Sequence, residues 1–283
     1  MQKSQTFTLV PAGGLGNRIL ALCSAISFCI AKRRDLDIIW FKDPGLNCNY
    51  DKLFRLDTPI NIQIRNARGF DFLLRDNPRK RNLWIPRFFE KILYDKCIYW
   101  YDNDFEIQDN LLPALDSRLD NFRNVYMTAC WKYWTEPNMY KWIKPTAEIE
   151  RKVKKITDDF PENIIGLHIR RTDGEYTILH SPTEKFIEVI EDEIKKDKNV
   201  KFYLASDSIE EKNRLLQLYD DKIITSFRTE GRNSEEGIIN AFVEMMVLSL
   251  TKTIYAGGSS FAYVAHKLSG TEMKMFCKPE NLL

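Results

Sequence analysis

From Pro145 onward, short apolar runs alternate with longer amphipathic segments, and this alternation constrains the fold more than any other feature. The pattern predicts five strands and five helices, with strands at 164–170, 201–206, 222–227, 253–256 and 273–276 and helices at 146–157, 183–196, 208–218, 234–250 and 259–268. Strands that alternate with helices form a parallel sheet covered on both faces. We therefore predict a parallel α/β domain in the C-terminal half.

The N-terminal half opens with a similar βαβ pattern. Its periodicity predicts a helix at 18–34 and strands at 7–11, 37–41, 60–64 and 125–130. The middle of this half is rich in aromatic and basic residues and gives no regular pattern. We place a boundary near residues 145–160 and predict two domains, 1–150 and 151–283.

The composition is that of an ordinary globular protein, since 44% of the 283 residues are hydrophobic and 29% are charged. The net charge of +2 lacks the basic excess of a dedicated nucleic-acid binder, so we expect no nucleic-acid partner. The six cysteines form no CxxC pair and the three histidines are dispersed, so no metal site is expected. Scattered cysteines and the lack of an apolar leader after Met1 favour a cytoplasmic protein.

A glycine-rich loop, 13–18, follows the first predicted strand. Glycine backbone can approach a ligand closely, and the start of the next helix offers free N–H groups to an anion. The loop lacks the GK[ST] of a P-loop and the third glycine of a GxGxxG motif. A plain tight turn and an anion-binding loop both remain open.

A histidine and two arginines mark the end of the strand predicted at 164–170. Alternation places His168 and Arg170 on one face of that strand. A buried guanidinium is costly unless an anion meets it, and its fork suits phosphate oxygens. Together with Arg171, Thr172 and Asp173, this motif predicts a pyrophosphate site. The alternative is a structural Arg–Asp pair.

Three further polar positions are candidates for the same site. Asp207 follows the next strand, where it is either a ligand or, as its position alone favours, the N-cap of a helix. Ser259 follows two glycines at another helix start, which suits both an N-cap and an anion site. Glu244 lies within an apolar helix, and its position favours the solvent face.

The segment 65–91 combines eight basic and three acidic residues with interleaved aromatic side chains. This composition suits an anionic membrane surface, a lipid-linked acceptor or nucleic acid. A solvated loop anchored by aromatic residues is an equally good interpretation. We keep Arg65 to Lys91 as a candidate for peripheral contact with the inner face of a membrane.

Four motifs in order resemble the α-1,6-fucosyltransferases, which include the nodulation and core N-glycan enzymes. They lie at 168–173 (HIRRTD, similar to HxRRTD), 202–207, 244–249 and 258–261. The first glycine loop, 13–17, is similar to that of the α-1,2- and protein O-fucosyltransferases of the wider superfamily. The resemblance covers most of 160–270 and this loop, while the middle of the chain does not match.

The resemblance implies a GT-B-like α/β fold of two facing Rossmann-like domains with parallel sheets. Domain 1–150 would then be the acceptor side, and domain 151–283 would bind the nucleotide sugar. The implied activity is inverting, metal-independent and cofactor-free transfer of fucose from GDP-fucose to a hydroxyl of a glycan, polysaccharide precursor or lipid-linked saccharide. The alternatives are a transferase for another GDP-sugar, such as GDP-mannose, and a non-catalytic nucleotide- or saccharide-binding protein.

The resemblance also implies residue roles. Arg170 would grip the β-phosphate of GDP, and a carboxylate, Glu175 or Asp173, would be the general base. His168 and Glu244 would meet the guanosine, although relatives usually carry Asp at the latter position. The implied donor-binding residues are Gly14, Gly16, Asn17, Arg18, His168, Arg171, Asp207, Glu244, Ser259 and Ser260.

Overall fold

The chain forms two compact units, Met1–Lys144 and Pro145–Leu283, in a computed structural model. The structure describes residues 5–74, 85–99, 119–226 and 233–278. Each unit is built on a five-stranded parallel sheet. The predicted α/β class with Rossmann-like parallel sheets is thereby confirmed.

The sheet of the first unit has the strand order β4-β2-β1-β6-β5. Its elements are β1 (Thr6–Pro11), α1 (Leu15–Lys32), β2 (Asp35–Trp40), β3 (Phe54–Leu56), β4 (Ile62–Asn66), α2 (Asp71–Leu74), α3 (Ile85–Leu93), β5 (Lys96–Tyr99), β6 (Asn124–Ala129) and β7 (Ile143–Pro145). The short strands β3 and β7 pair as a separate two-stranded sheet, which the sequence pattern did not predict. The apolar run of β1 is buried because it lies between β2 and β6.

Helix α1 is the crossover between β1 and β2. By length and composition it could cross a membrane, but 78% of it is buried inside the protein. It ends at Arg33, which adopts a positive φ of 54° and whose N–H bonds to the carbonyls of Cys29 and Ile30. The helix predicted at 18–34 is thus confirmed, and most of it lies in the core of the first unit.

The sheet of the second unit has the strand order β10-β9-β8-β11-β12. Its elements are α4 (Ala147–Thr157), β8 (Ile164–Ile169), α5 (Glu175–His180), α6 (Thr183–Lys196), β9 (Lys201–Ser206), α7 (Ile209–Tyr219), β10 (Ile223–Ile224), α8 (Glu235–Ser249), β11 (Thr253–Ala256), α9 (Ser260–Ser269) and β12 (Glu272–Met275). After β8 the chain adds β9 and β10 on one side of that strand. It then crosses over and places β11 and β12 on the other side of β8. This reversal is the topological switch point at which ligands bind in doubly wound sheets.

Alternating residues of β8 face opposite helical layers. Leu167 packs in one cluster with Phe186 of α6 and Leu215 of α7. Gly166 lies against α8, since a Cβ there would come within 3.0 Å of Leu248. His168, two residues on, therefore shares the face that α8 and α9 cover.

The strand predicted at 222–227 is shorter than expected. Ladder pairing stops at Ile224, and residue 227 lies outside the described residues. Beyond it, Thr225 Oγ1 donates to the carbonyl of Leu204, and Ser226 Oγ donates to the side chain of Glu244. Side-chain hydrogen bonds thus replace the backbone ladder at this edge.

Candidate functional site

Three neighbouring strands of the second unit end at the same level. His168 is in register with Ala205 of β9 and with Ala256 of β11. The polar loops that follow β8, β9 and β11 therefore leave the sheet side by side at its switch point. The structure brings together the ends of the motifs at 168–173 and 202–207 and the motif at 258–261.

The carboxylate of Asp207 fixes the backbone of the loop after β8. The N–H of Arg171 donates to Oδ1 at 2.7 Å. Thr172 donates to Oδ2 through its N–H at 3.3 Å and its hydroxyl at 2.6 Å. Helix α7 is instead capped by Ser208, which accepts from the N–H of Glu211. The prediction that Asp207 is the helix N-cap is wrong, because its carboxylate accepts hydrogen bonds from the loop after β8.

Arg170 and Asp173 form the structural ion pair that the sequence left as an alternative. The guanidinium of Arg170 lies 2.6 Å from Asp173 Oδ1 through Nε and 2.5 Å through Nη2. The pair is part-buried, and Gly174 beside it has a positive φ of 80°. Nη1 of Arg170 has no hydrogen-bond partner in the described part of the chain. The ion pair therefore orients the guanidinium and leaves one amino group for an anion.

The Arg171 side chain is committed to internal contacts. Nη1 donates to the carbonyl of Arg170 at 2.8 Å, and Nη2 donates to Thr183 Oγ1 at 2.9 Å. Its Nε lies 3.6 Å from Glu211 on α7. The guanidinium thus ties the loop to α6 and α7, and the contribution of Arg171 to the site is its backbone.

His168 lies buried against the first turn of α9. Its ring stacks on Phe261 with a centroid separation of 4.9 Å and an interplanar angle of 17°. Ser259 caps α9 by accepting from the N–H of Phe261, which agrees with one of its two predicted roles. Ser260 is partly exposed at the same helix end, where the dipole favours an anion.

Helix α5, which the sequence pattern did not predict, is locked to the loop after β11. Thr177 Oγ1 donates to the carbonyl of Gly258 at 2.7 Å. Gly257 has no room for a side chain, since a Cβ would lie 2.4 Å from Ser181 Oγ. Glu175 begins this helix, is exposed and makes no hydrogen bond or ion pair within the described residues. Of the two candidate bases, Asp173 is paired with Arg170, whereas Glu175 has no partner in the described ranges.

The prediction that Glu244 faces solvent is wrong. Only 14% of its side chain is exposed, and Oε1 accepts from Lys212 Nζ at 2.6 Å and from Ser226 Oγ at 2.8 Å. Burial raises the pKa of this carboxyl, while the ammonium of Lys212 opposes that rise. Helix α8 packs against α4, α9 and β9, which leaves Glu244 only this small exposure. No sequence pattern indicates a role for Lys212, because a single lysine in an amphipathic helix is usually exposed.

The first unit carries the glycine loop after β1. The fully buried guanidinium of Arg18 donates to the carbonyls of Gly13 and Phe41 and pairs with Asp43 at 2.7 Å. Arg18 therefore supports the glycine loop from the buried side. The structure does not present its side chain to a ligand.

In this loop, Gly14 and Asn17 are the candidates for contact with a ligand. A Cβ at Gly14 would meet nothing within 4 Å, whereas Gly16 is buried. The buried Oδ1 of Asn17 has no hydrogen-bond partner among the described residues. An unsatisfied buried amide oxygen is costly, so this atom is a candidate ligand contact.

Comparisons with known proteins show which of them this chain resembles. No protein-family model matches the chain. Nodulation protein Z of Bradyrhizobium diazoefficiens is 25% identical over 181 residues, which is 60% of this chain and 48% of that protein. The match thus spans about half of that relative's length.

Solved fucosyltransferases superimpose on nearly the whole chain. NodZ α-1,6-fucosyltransferase soaked with GDP-fucose matches with a TM-score of 0.63 and 18% identity over 94% of this chain and 93% of its own. A variant of Arabidopsis thaliana FUT1 in complex with GDP matches with a TM-score of 0.64 and 16% identity over 99% and 72%. The complex of POFUT1 with GDP-fucose matches with a TM-score of 0.56 and 12% identity over 97% of each.

The chain has the fold of these fucosyltransferases. The expected resemblance to the α-1,6-fucosyltransferases is confirmed by the sequence match to nodulation protein Z and by the structural match to NodZ.

Proposed function

We propose that the chain is an inverting fucosyltransferase that moves fucose from GDP-fucose to a hydroxyl of a glycan or polysaccharide precursor without a metal ion. The observation that carries this proposal is the Arg170 loop at the switch point of the second unit, held by Asp207 and beside the N-terminus of α9. Structures of the same fold that were solved with GDP-fucose or GDP support the choice of donor. In this account residues 151–283 bind the donor and residues 1–150 form the acceptor side.

The second unit would hold the two ends of the nucleotide separately. The free Nη1 of Arg170 and the N-terminus of α9 at Ser260 supply donors for the diphosphate. His168, with Ser259 at the cap beneath it, and Glu244 would meet the guanosine. Asp207 and Arg171 act through the backbone of the loop that they shape.

The proposed transfer depends on stabilising the charge that develops on the leaving group more than on covalent catalysis. An acceptor oxygen attacks C1 of fucose as the bond to the β-phosphate breaks, so the configuration inverts and negative charge grows on the departing GDP. Arg170, already oriented by Asp173, stabilises that charge without reorganising. This arrangement lets a guanidinium perform the task that a metal ion performs in other transferases.

Glu175 is our choice for the general base. It is exposed at the start of α5 and free of partners among the described residues, whereas Asp173 is bound to Arg170. A carboxylate already neutralised by an arginine is a poor proton acceptor. The contact of Thr177 with Gly258 holds α5, and therefore Glu175, at the edge of the donor site.

In the first unit, the loop of Gly14, Gly16 and Asn17 is the proposed ligand contact. Arg18 supports this loop from the core. The unsatisfied oxygen of Asn17 suits a sugar hydroxyl or an N–H donor.

We also propose that the first unit contacts an anionic membrane surface through Arg65 to Lys91. In the described part of this segment, Phe70, Phe72 and Phe88 are exposed, and Ile92 continues the apolar face of α3 one turn beyond Phe88. The two acidic residues described there, Asp71 and Glu90, are buried, while Arg68 and Lys91 are exposed. An exposed aromatic face with basic neighbours suits the interface of anionic lipids.

Substituting Arg170 tests the proposed catalysis. Arg170→Ala should lower turnover by about a hundredfold or more, as expected when one transition-state charge contact is lost. Arg170→Lys should recover little, because a point charge does not replace the fork. The measurement is GDP release from GDP-fucose with a mixed oligosaccharide pool as acceptor. Arg214→Ala, which breaks a surface pair with Glu184, is the matched control and should keep wild-type turnover. Near-normal turnover of Arg170→Ala would contradict the assignment.

The choice of base gives opposite expectations for two isosteric variants. Glu175→Gln should lower turnover by about a hundredfold or more and leave GDP affinity unchanged. Asp173→Asn should weaken GDP binding, because Arg170 loses its orienting partner. Rates and calorimetric affinities separate the two, with Glu184→Gln as a surface control. An active Glu175→Gln enzyme beside an inactive Asp173→Asn enzyme of normal GDP affinity would move the base to Asp173.

Vesicle sedimentation tests the membrane proposal. The protein should pellet with phosphatidylglycerol vesicles and much less with phosphatidylcholine vesicles, and added salt should weaken the binding. The double variant Phe88→Asp/Ile92→Asp should lose most of this binding. Leu250→Asp alters an exposed leucine of the second unit and should not. Equal binding to both lipids, or none, would refute the proposal.

A further inference from the structure

The second unit contains an ion pair between two side chains that are both largely buried. Lys212 of α7 has 2% of its side chain exposed, and its Nζ donates to Glu244 Oε1 at 2.6 Å and to the carbonyl of Ser226 at 3.1 Å. A buried ion pair is a weak source of stability, since the desolvation of both charges offsets their attraction. The pair therefore calls for an explanation other than stability.

An ion pair at the protein surface, on the helix α8 that also carries Glu244, shows the contrast. Glu236, also on α8, pairs with Lys152 at 2.9 Å, and both side chains are well exposed. Exposed pairs of that kind contribute little and constrain neither partner strongly. Lys212, by comparison, holds its carboxylate within a closed network.

The network occupies one oxygen of Glu244 and leaves the other available. Oε1 accepts from both Lys212 and Ser226, and Tyr203 Oη lies 3.0 Å from Ser226 Oγ behind it. Oε2 has no hydrogen-bond partner among the described residues. Because the side chain keeps 14% exposure, that oxygen can meet a ligand. The carboxylate is thus fixed in orientation with one acceptor presented.

We propose that Lys212 is a positioning residue that fixes Glu244 as an ionised acceptor for the adjacent N–H groups on the Watson–Crick edge of guanine, and so sets base selectivity. This inference rests on the proposed function, because it requires a GDP-sugar in the second unit. Guanine offers N1–H and a 2-amino group together, whereas hypoxanthine lacks the 2-amino group and adenine has no N1–H. Oε2 of an ionised carboxylate carries two lone pairs and can accept both donors, whereas a protonated carboxyl offers a donor on that edge instead.

The charge of Lys212 has a consequence for pH dependence. Burial raises the pKa of Glu244 above its usual value, the ammonium of Lys212 and the hydroxyl of Ser226 oppose that rise in part, and the carboxylate of Asp207 adds to it. The guanine contact is therefore present above the pKa of Glu244 and is lost as the pH falls through it. Removing the ammonium would raise this pKa further, so the loss would begin at a higher pH.

The test compares GDP, IDP and inorganic pyrophosphate by calorimetry on the full chain. Wild type should prefer GDP to IDP by about tenfold or more, as one charge-assisted hydrogen bond allows. Lys212→Met should weaken GDP binding by about tenfold and remove most of that preference, while pyrophosphate affinity stays unchanged. Lys152→Met removes the surface partner of Glu236 and should keep the wild-type preference.

A Lys212→Met protein that retains the wild-type GDP-to-IDP ratio would overturn the inference. An equal loss for GDP, IDP and pyrophosphate would also overturn it, since that pattern indicates general damage to the site. Wild type that binds ADP as tightly as GDP would instead refute the proposed function, and this inference with it.

Wild type itself supplies a second test that does not depend on the folding of Lys212→Met. Its GDP-to-IDP ratio should fall on acidification, with a midpoint above the ordinary glutamate value of 4.5. A ratio that stays flat down to that pH would overturn the inference.

Discussion

The hydrogen bonds between Asp207 and the loop after β8 are the interaction on which the candidate site depends. One carboxylate at the end of β9 receives the backbone N–H groups of Arg171 and Thr172. This contact exists because parallel pairing brings the ends of β8 and β9 level. The fixed loop then orients Arg170 through Asp173, so the position of the guanidinium follows from the sheet register.

Buried charges recur beside the candidate binding residues of both units. In the first unit, Arg18 is buried and paired with Asp43 beneath the glycine loop. In the second, Lys212 is buried and paired with Glu244. Neither pair is a strong source of stability, because each charge loses its hydration. Both hold polar groups in fixed orientations, which is the preorganisation that the proposed transfer requires.

The sequence predicted the order of strands and helices well, because hydrophobic periodicity records burial directly. It also predicted which loops meet, since parallel strands end at a common edge. It failed where the partner of a side chain is distant in the chain. Asp207 was assigned to its own helix and Glu244 to solvent, yet one binds the loop 36 residues before it and the other binds Lys212, 32 residues away. No local pattern specifies such contacts, and the same limit hid the internal roles of Arg18 and Arg171.

The most direct test of the central claim is a calorimetric titration with GDP, GDP-fucose, GDP-mannose and UDP-glucose in the presence of EDTA. We predict metal-independent binding of GDP and GDP-fucose, weaker binding of GDP-mannose and no binding of UDP-glucose. Because this binding is proposed to occur in the second unit, Arg170→Ala should weaken it. Binding of UDP-glucose, or of none of the four, would contradict the account and leave the Arg170–Asp173 contact as a structural ion pair alone.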